Sequence, residues 1–232
     1  MLRKTCVFCG YARLPKEEGA YRYSIEQVLA ESDRADGSIT REFHIVGGLD
    51  MEAGLEYYQT MFRALKARHP QVHIKALTAV EIAHIARIEK MSREDVLIAL
   101  REAGLDTLPG GGAETFSAAV RDVIADKKLG GADYIDVHRT AHKLGIRSNC
   151  TMLYGHVESI EDRMQHLNML RELQDETGGF LAYIPLAYHP DDNELGKTLG
   201  REGTATTGFD DLRNLAVGRL FLDNFEHIKS HW

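Results

Sequence analysis

Short apolar stretches rich in Val, Ile and Leu recur along this chain, separated by longer segments of helical period, and this alternation limits the possible folds more than any other feature. A strand, a crossover helix and a further strand make a parallel sheet. Five strands are expected: "REFHIVGG" (41–48), "VHIKALT" (72–78), "LDTLPGG" (105–111), "IRSNCTMLYG" (146–155) and "FLAYIPLAY" (180–188). The intervening helices have recognisable starts. Ser24 with Gln27, Ser92 with Asp95, and Thr207 with Asp210 carry the spacing of an N-terminal cap. Leu55, Tyr58, Phe62 and Leu65 line one apolar helix face, and Ile160, Met164, Leu167, Leu170 and Leu173 another.

Five strand–helix repeats in one run, without a long linker or low-complexity tract, favour a barrel of (β/α) units over an open two-domain enzyme. Residues 1–232 are expected to be a single barrel domain. Such a barrel begins with a strand, whereas this chain opens on a loop, and "EHIKSHW" follows directly on a helix. The expected fold is therefore α/β, a partial TIM-type barrel lacking its first strand and C-terminal part, a piece of a longer protein. Ligands of such folds meet the loops after the strand C-termini, here "VGGLD", "TAVE", "PGGGAE", "YGHVE" and "YHPDDN".

The net charge of -7, with Lys and Arg scattered among carboxylates, offers no basic stripe for nucleic acid and no polybasic membrane patch. No apolar run approaches the ~20 residues of a membrane span, and the first residues lack a signal-peptide core, so a cytoplasmic protein is expected. Three cysteines do not make a disulfide framework. Cys6 and Cys9, two residues apart in "CVFC", suit metal or redox chemistry: half a zinc site, a dithiol, or part of an iron–sulfur loop. Cys150, inside a strand pattern, is expected to be a small buried core residue.

Glycines after three strands, in "VGGL", "PGGGAE" and "LYGHVE", favour a site that cradles a large polar cofactor. Neither a phosphate-loop lysine pattern nor G-x-G-x-x-G occurs. His138 and His142 are four apart on a helix expected outside the barrel, a poor place for a metal. His156 and His189, with Glu81, Glu114 and Glu158, lie at strand ends and suit polar contacts to substrate. Glu158 is as well placed to cap the next helix. Arg147 reads as a surface residue beginning a strand, although a substrate carboxylate would need such a cation.

The stretches "FHIVGGL", "KALTAVEIAHIA", "LDTLPGGGAE", "HRTAHKLGIRSNCTMLYGHVES", "LRELQDETGGF" and "IPLAYHP" resemble the radical S-adenosylmethionine superfamily, and within it the aminofutalosine synthases of menaquinone formation, over essentially the whole chain. The resemblance implies a [4Fe-4S] cluster held by a Cys-x-x-x-Cys-x-x-Cys loop, with S-adenosylmethionine on its open iron. Cys6 and Cys9 match the second and third cysteines, Phe8 is the aromatic before the last, and Leu2 stands where the first would fall. By position, Gly47 and Gly48 match the Gly-Gly-Glu element that meets the methionine amino group, with Leu49 replacing its Glu. Glu114 matches the ribose loop, and Tyr154 and Gly155 the adenine-packing element. Thr78, Glu81, Ser148, Asn149 and His189 are the expected substrate pocket, with Glu81, Asn149 and His189 closest to the chemistry.

The implied reaction adds the 5′-deoxyadenosyl radical to 3-[(1-carboxyvinyl)oxy]benzoate, an enolpyruvyl ether of 3-hydroxybenzoate. Rearrangement and decarboxylation then give 6-amino-6-deoxyfutalosine, with a flavodoxin or ferredoxin supplying electrons. The sibling dehypoxanthine futalosine cyclase shares several of the motifs, and a non-catalytic metal-binding barrel is the reading from a different class.

Overall fold

The computed structural model describes residues 6–14, 16–126, 128–200 and 206–230. The strands form as the alternation requires, and all their pairings are parallel. β1 (Glu42–Ile45) lies against β2 (His73–Ala76), and β3 (Ser148–Tyr154) lies against β4 (Phe180–Ala187). The 105–111 segment contributes only two bridges, Thr107 to Lys75 and Leu108 to Ser148, yet these join β2 to β3 in one parallel wall. The ladder stops there because Pro109 has no N–H to donate and three glycines follow. Beyond the last helix the chain does enter another strand, β5 (His227–Ile228), which extends β4. The "EHIKSHW" segment, read from sequence as following directly on a helix, thus contains a two-residue strand.

The helices are α1 (Ile25–Ser32), α2 (Leu55–Arg68), α3 (Ala79–Glu89), α4 (Arg93–Ala103), α5 (Ala118–Ile124), α6 (Gly131–Lys143), α7 (Ile160–Thr177), α8 (Glu194–Leu199) and α9 (Gly208–Phe221). Ser24, Ser92 and Thr207 accept the N–H three residues on, as their spacing predicts. The same device starts α3 at Thr78 and α7 at Ser159, where the sequence reading did not place it.

Strand residues alternate between two faces. Phe43, Ile45, Ile74, Ala76, Leu108, Cys150 and Met152 pack outward against Phe62 and Leu65 of α2, Leu97 and Leu100 of α4, and Leu167 and Leu170 of α7. Each fully buried Leu or Phe there contributes roughly 1.5–3 kcal/mol of apolar burial. Ile160 does not join the α7 face; it sits in the first helical turn and is exposed. The opposite, inner face carries Glu42, His44, Lys75, Thr107, Asn149 and Thr151, so the lumen side of this wall is polar.

Gly110 is fixed by strand spacing. A Cβ at that position would stand 2.6 Å from both Cα and C of Cys150 and 2.9 Å from its N. The Gly110 carbonyl accepts from the Tyr134 and Thr151 hydroxyls at 2.7 Å each.

Candidate active site

Because the strands are parallel, their C-terminal ends open on one side, and three groups of residues assemble there. The first joins the loops after β1 and β2. Leu77 is held at φ 61, a left-handed conformation costing about 1 kcal/mol outside glycine, and it turns the chain from β2 into the cap of α3. The Glu81 carboxylate then accepts from Thr78 N at 2.7 Å and Thr78 Oγ1 at 2.8 Å through Oε2, and from Gly47 N at 2.9 Å through Oε1. Burial raises this carboxyl above its ordinary range, against the three hydrogen bonds it receives. Glu81 thus acts on the Gly47–Gly48 loop as a positioning residue, since its oxygens are already committed to the backbone. Gly111 closes the group, with space for a Cβ only 3.1 Å from Thr78 Cγ2.

The second group centres on an ion pair. Glu114 sits at φ 48 at the end of the glycine loop, and its carboxylate accepts a hydrogen bond from Lys128 Nζ. The pair is well shielded, with side-chain exposures of 9% and 15%. Burial alone would lower the Lys128 ammonium, but the Glu114 carboxylate and the Cys6 sulfur outweigh it and leave it raised. The same ammonium lies 5.5 Å from the centre of the Phe8 ring and stabilises the charge of Glu81. Arg121, also buried, donates to the Ala113, Thr115 and Leu129 carbonyls and fixes the ends of this loop. Cys6 and Cys9 are half-buried in one turn, Cys9 N donating to Cys6 O at 3.2 Å. Between them, Val7 N donates to Ile124 O at the end of α5, and Val7 O accepts from Leu195 N at the start of α8.

The third group follows β3. Gly155 takes φ 87, and the fully buried Glu158 carboxylate gathers this turn by accepting from Gly155 N (2.6 Å), His156 N (2.9 Å) and Arg163 (2.6 Å). Tyr154 Oη donates to Asp211 at 2.7 Å, and the Arg163 guanidinium stands 5.4 Å from its ring centre. Burial, then the bond to Asp211, raises the Tyr154 phenol well above its usual value. A cavity of about 270 Å³ opens here between Tyr154, His156, Arg163 and Asp210.

The structure thus brings Gly47, Gly48 and Glu81 together, links Glu114 to Phe8 and Cys6 through Lys128, and keeps Tyr154 with Gly155. The other residues singled out in the sequence lie outside these three groups. Ser148 is corrected from the substrate pocket to the outer face, where its Oγ lies 2.8 Å from both His138 Nδ1 and His142 Nε2. Those two histidines share a hydroxyl and hold no metal geometry. Burial drives both imidazoles down, His142 to about 4 with the Arg147 charge adding to the effect. Cys150 is fully buried, and burial raises its thiol. His189 is exposed, its carbonyl accepting from Asn193 at 2.8 Å. Arg147 is exposed at the N-terminal start of β3, remote from the loop side. Asn149 is buried on the inner face. Sequence reasoning missed Lys128, because a lysine in "DKKLG" reads as solvated charge.

The radical SAM superfamily profile matches residues 3–170. The chain belongs to the radical SAM superfamily. It is 49% identical over 228 residues to the aminodeoxyfutalosine synthase of Thermus thermophilus, covering 98% of this chain and 61% of that protein. It is 43% identical to the aminodeoxyfutalosine synthase of Streptomyces coelicolor, with 98% and 60% covered. A Methanosarcina acetivorans 5-amino-6-(D-ribitylamino)uracil–L-tyrosine 4-hydroxyphenyl transferase is 38% identical over 98% of this chain and 60% of its own length. The chain spans about 60% of the length of these relatives. Methylornithine synthase superposes with a TM-score of 0.71 at 14% identity over 98% of this chain and 67% of that one, which establishes the shared fold.

Members of the superfamily work through a [4Fe-4S] cluster and S-adenosylmethionine. The donor chemistry of the Cys6–Cys9 turn, two thiols backed by Lys128, suits two of the three cluster thiolates. Leu2, at the position of the first cysteine in the superfamily spacing, lies outside the described residues. Among the described residues no group of three His, Cys, Asp or Glu side chains converges on a metal position, and no helix is long and apolar enough to cross a membrane.

Proposed function

We propose that residues 1–232 form the barrel domain of an aminodeoxyfutalosine synthase. The net reaction would join the 5′-deoxyadenosyl group of S-adenosylmethionine to 3-[(1-carboxyvinyl)oxy]benzoate, with rearrangement and loss of a carboxylate. The near-half identity to the Thermus protein along the whole chain carries this reading. When bound, the cluster and S-adenosylmethionine supply one-electron cleavage chemistry.

The chain's own residues supply placement. Cys6 and Cys9 hold cluster iron, and Phe8 with Lys128 closes the space behind them. Gly47 spends its N–H on Glu81, so this loop meets the methionine ammonium through carbonyl oxygens. Glu114, oriented by Lys128, accepts from the ribose hydroxyls, and Tyr154 with Gly155 bounds the adenine. Asn149 and His189 contact the substrate from inside the wall and from its rim. Holding C5′ against the alkene carbon and excluding water is the protein's main contribution to rate. A flavodoxin or ferredoxin is the proposed electron donor.

The test is anaerobic reconstitution of the full chain with iron and sulfide, then reduction in the presence of both substrates. Mass spectrometry is expected to find 6-amino-6-deoxyfutalosine. A cyclised dehypoxanthine product, hydroxyphenyl transfer from tyrosine, or a colourless zinc-loaded protein without cluster absorption would each overturn the reading.

A further inference from the structure

We propose that Lys75, on the inner face of β2, is the cationic seat for a carboxylate of the substrate, with Asn149 completing the seat from β3. This rests on the proposed function for the identity of the substrate, and on the wall itself for the location.

Lys75 sits between Ile74 and Ala76, which both pack outward into the core, so the pleat directs its side chain to the lumen. His44 lies beside it on β1 and Thr107 on the other side, making one polar level across three neighbouring segments. Its ammonium is largely shielded, with 10% side-chain exposure, and is bonded to Glu42 at 2.8 and 3.0 Å. Glu42 itself is 37% exposed and belongs to the strand at the end of the described wall. A shielded ammonium facing one solvent-washed carboxylate contributes little to stability, and an apolar side chain would serve the sheet as well. That arrangement is better explained by a second anion, with the ammonium retaining its third donor for it.

Asn149 gives independent support. It is 5% exposed and faces the lumen, and among the described residues its carboxamide makes no hydrogen bond, its polar atoms keeping contact with the lumen. A lumen-facing carboxamide whose polar atoms are not used by the fold can meet a ligand's polar atoms there. The Leu108–Ser148 bridge sets Asn149 two residues beyond the level of Thr107, about 7 Å nearer the strand C-termini. Gly47 lies three residues beyond His44, about 10 Å above the Lys75 level. A carboxyl-bearing aromatic ring seated on Lys75 would therefore rise past Asn149 towards the loops that hold S-adenosylmethionine.

Equilibrium binding to the full chain tests this without turnover. The probes are 3-hydroxybenzoate and its neutral methyl ester, titrated calorimetrically, with S-adenosylhomocysteine binding as the check of folding. Wild type is expected to prefer the acid. Lys75→Met should weaken the acid about 10- to 100-fold, the range of a lost charge-assisted hydrogen bond, and leave the ester unchanged. Lys75→Arg should stay within a few fold of wild type. Glu42→Gln, at a partly exposed site, should tighten the acid because a competing carboxylate is gone. Equal binding of acid and ester by wild type, an unchanged acid affinity in Lys75→Met, or weakened acid binding in Glu42→Gln overturns the proposal. If these variants behave as expected but no futalosine product forms, the function assigned above fails and the anion seat stands.

Discussion

Replacing Glu81 by Gln separates a positioning role from a chemical one. The carboxylate receives three hydrogen bonds, two from backbone N–H groups of Gly47 and Thr78 and one from the Thr78 hydroxyl. A carboxamide keeps one acceptor oxygen and turns an NH₂ towards one of those N–H groups, leaving a buried donor unsatisfied. Such an orphan costs roughly 1–3 kcal/mol. If it falls on the bond that crosses between loops, local opening at Gly47 becomes about 10- to 100-fold more frequent. Amide hydrogen exchange at Gly47 should quicken by that factor, and S-adenosylhomocysteine affinity should fall with it, while kcat at saturation changes little. A Gly47 amide exchanging at the wild-type rate refutes the clamp. Loss of kcat with unchanged cofactor affinity would mean that the carboxyl acts on substrate directly.

Gly110→Ala should destabilise the fold by about 3 kcal/mol, because its Cβ meets backbone atoms of Cys150 that cannot rotate away, whereas Gly48→Ala, with nothing within 4 Å, should stay within about 0.5 kcal/mol; similar urea midpoints for the two would refute the strand-contact argument. Stability should also fall in mild acid. Burial depresses the His142 imidazole to about 4 in the folded protein, while the unfolded chain titrates near 6.5, so its contribution is complete above about 6.5 and is lost as pH falls towards 4. The shift corresponds to about 3 kcal/mol, and a His142→Gln variant should show that much less loss between pH 7 and pH 4 in urea titrations; identical slopes for variant and wild type would contradict it.

The parallel strands and their loop side were legible because apolar runs and capping residues are local signals. The 105–111 strand was overestimated, since an apolar run before Pro109 looks the same whether or not the ladder continues. "TAVE" carried the capping spacing of Thr78 and Glu81 as clearly as the three starts that were recognised. Read that way, it would have assigned the carboxylate to backbone contacts in advance. Ser148 was placed on the wrong face because a strand in which every residue is buried has no alternation to reveal its pleat. Lys128 and Lys75 were invisible for a different reason: each acquires meaning from a partner 14 or 33 residues away, Glu114 and Glu42, and only the folded chain pairs them.

Val7 stands between the two cysteines, and both of its backbone polar groups are engaged, the N–H by the end of α5 and the carbonyl by the start of α8. The thiol turn is therefore stitched to two helices by main chain, in addition to the packing of the Val7 and Phe8 side chains on Val120, Ile124 and Leu195. These two stitches are indifferent to which side chain occupies position 7, with proline the exception, since it removes the N–H that reaches Ile124. It follows that the position of the thiol turn is inherited in part from where α5 ends and α8 begins. A lengthening of either helix by one residue would displace the cysteine pair bodily, without any change in the turn itself.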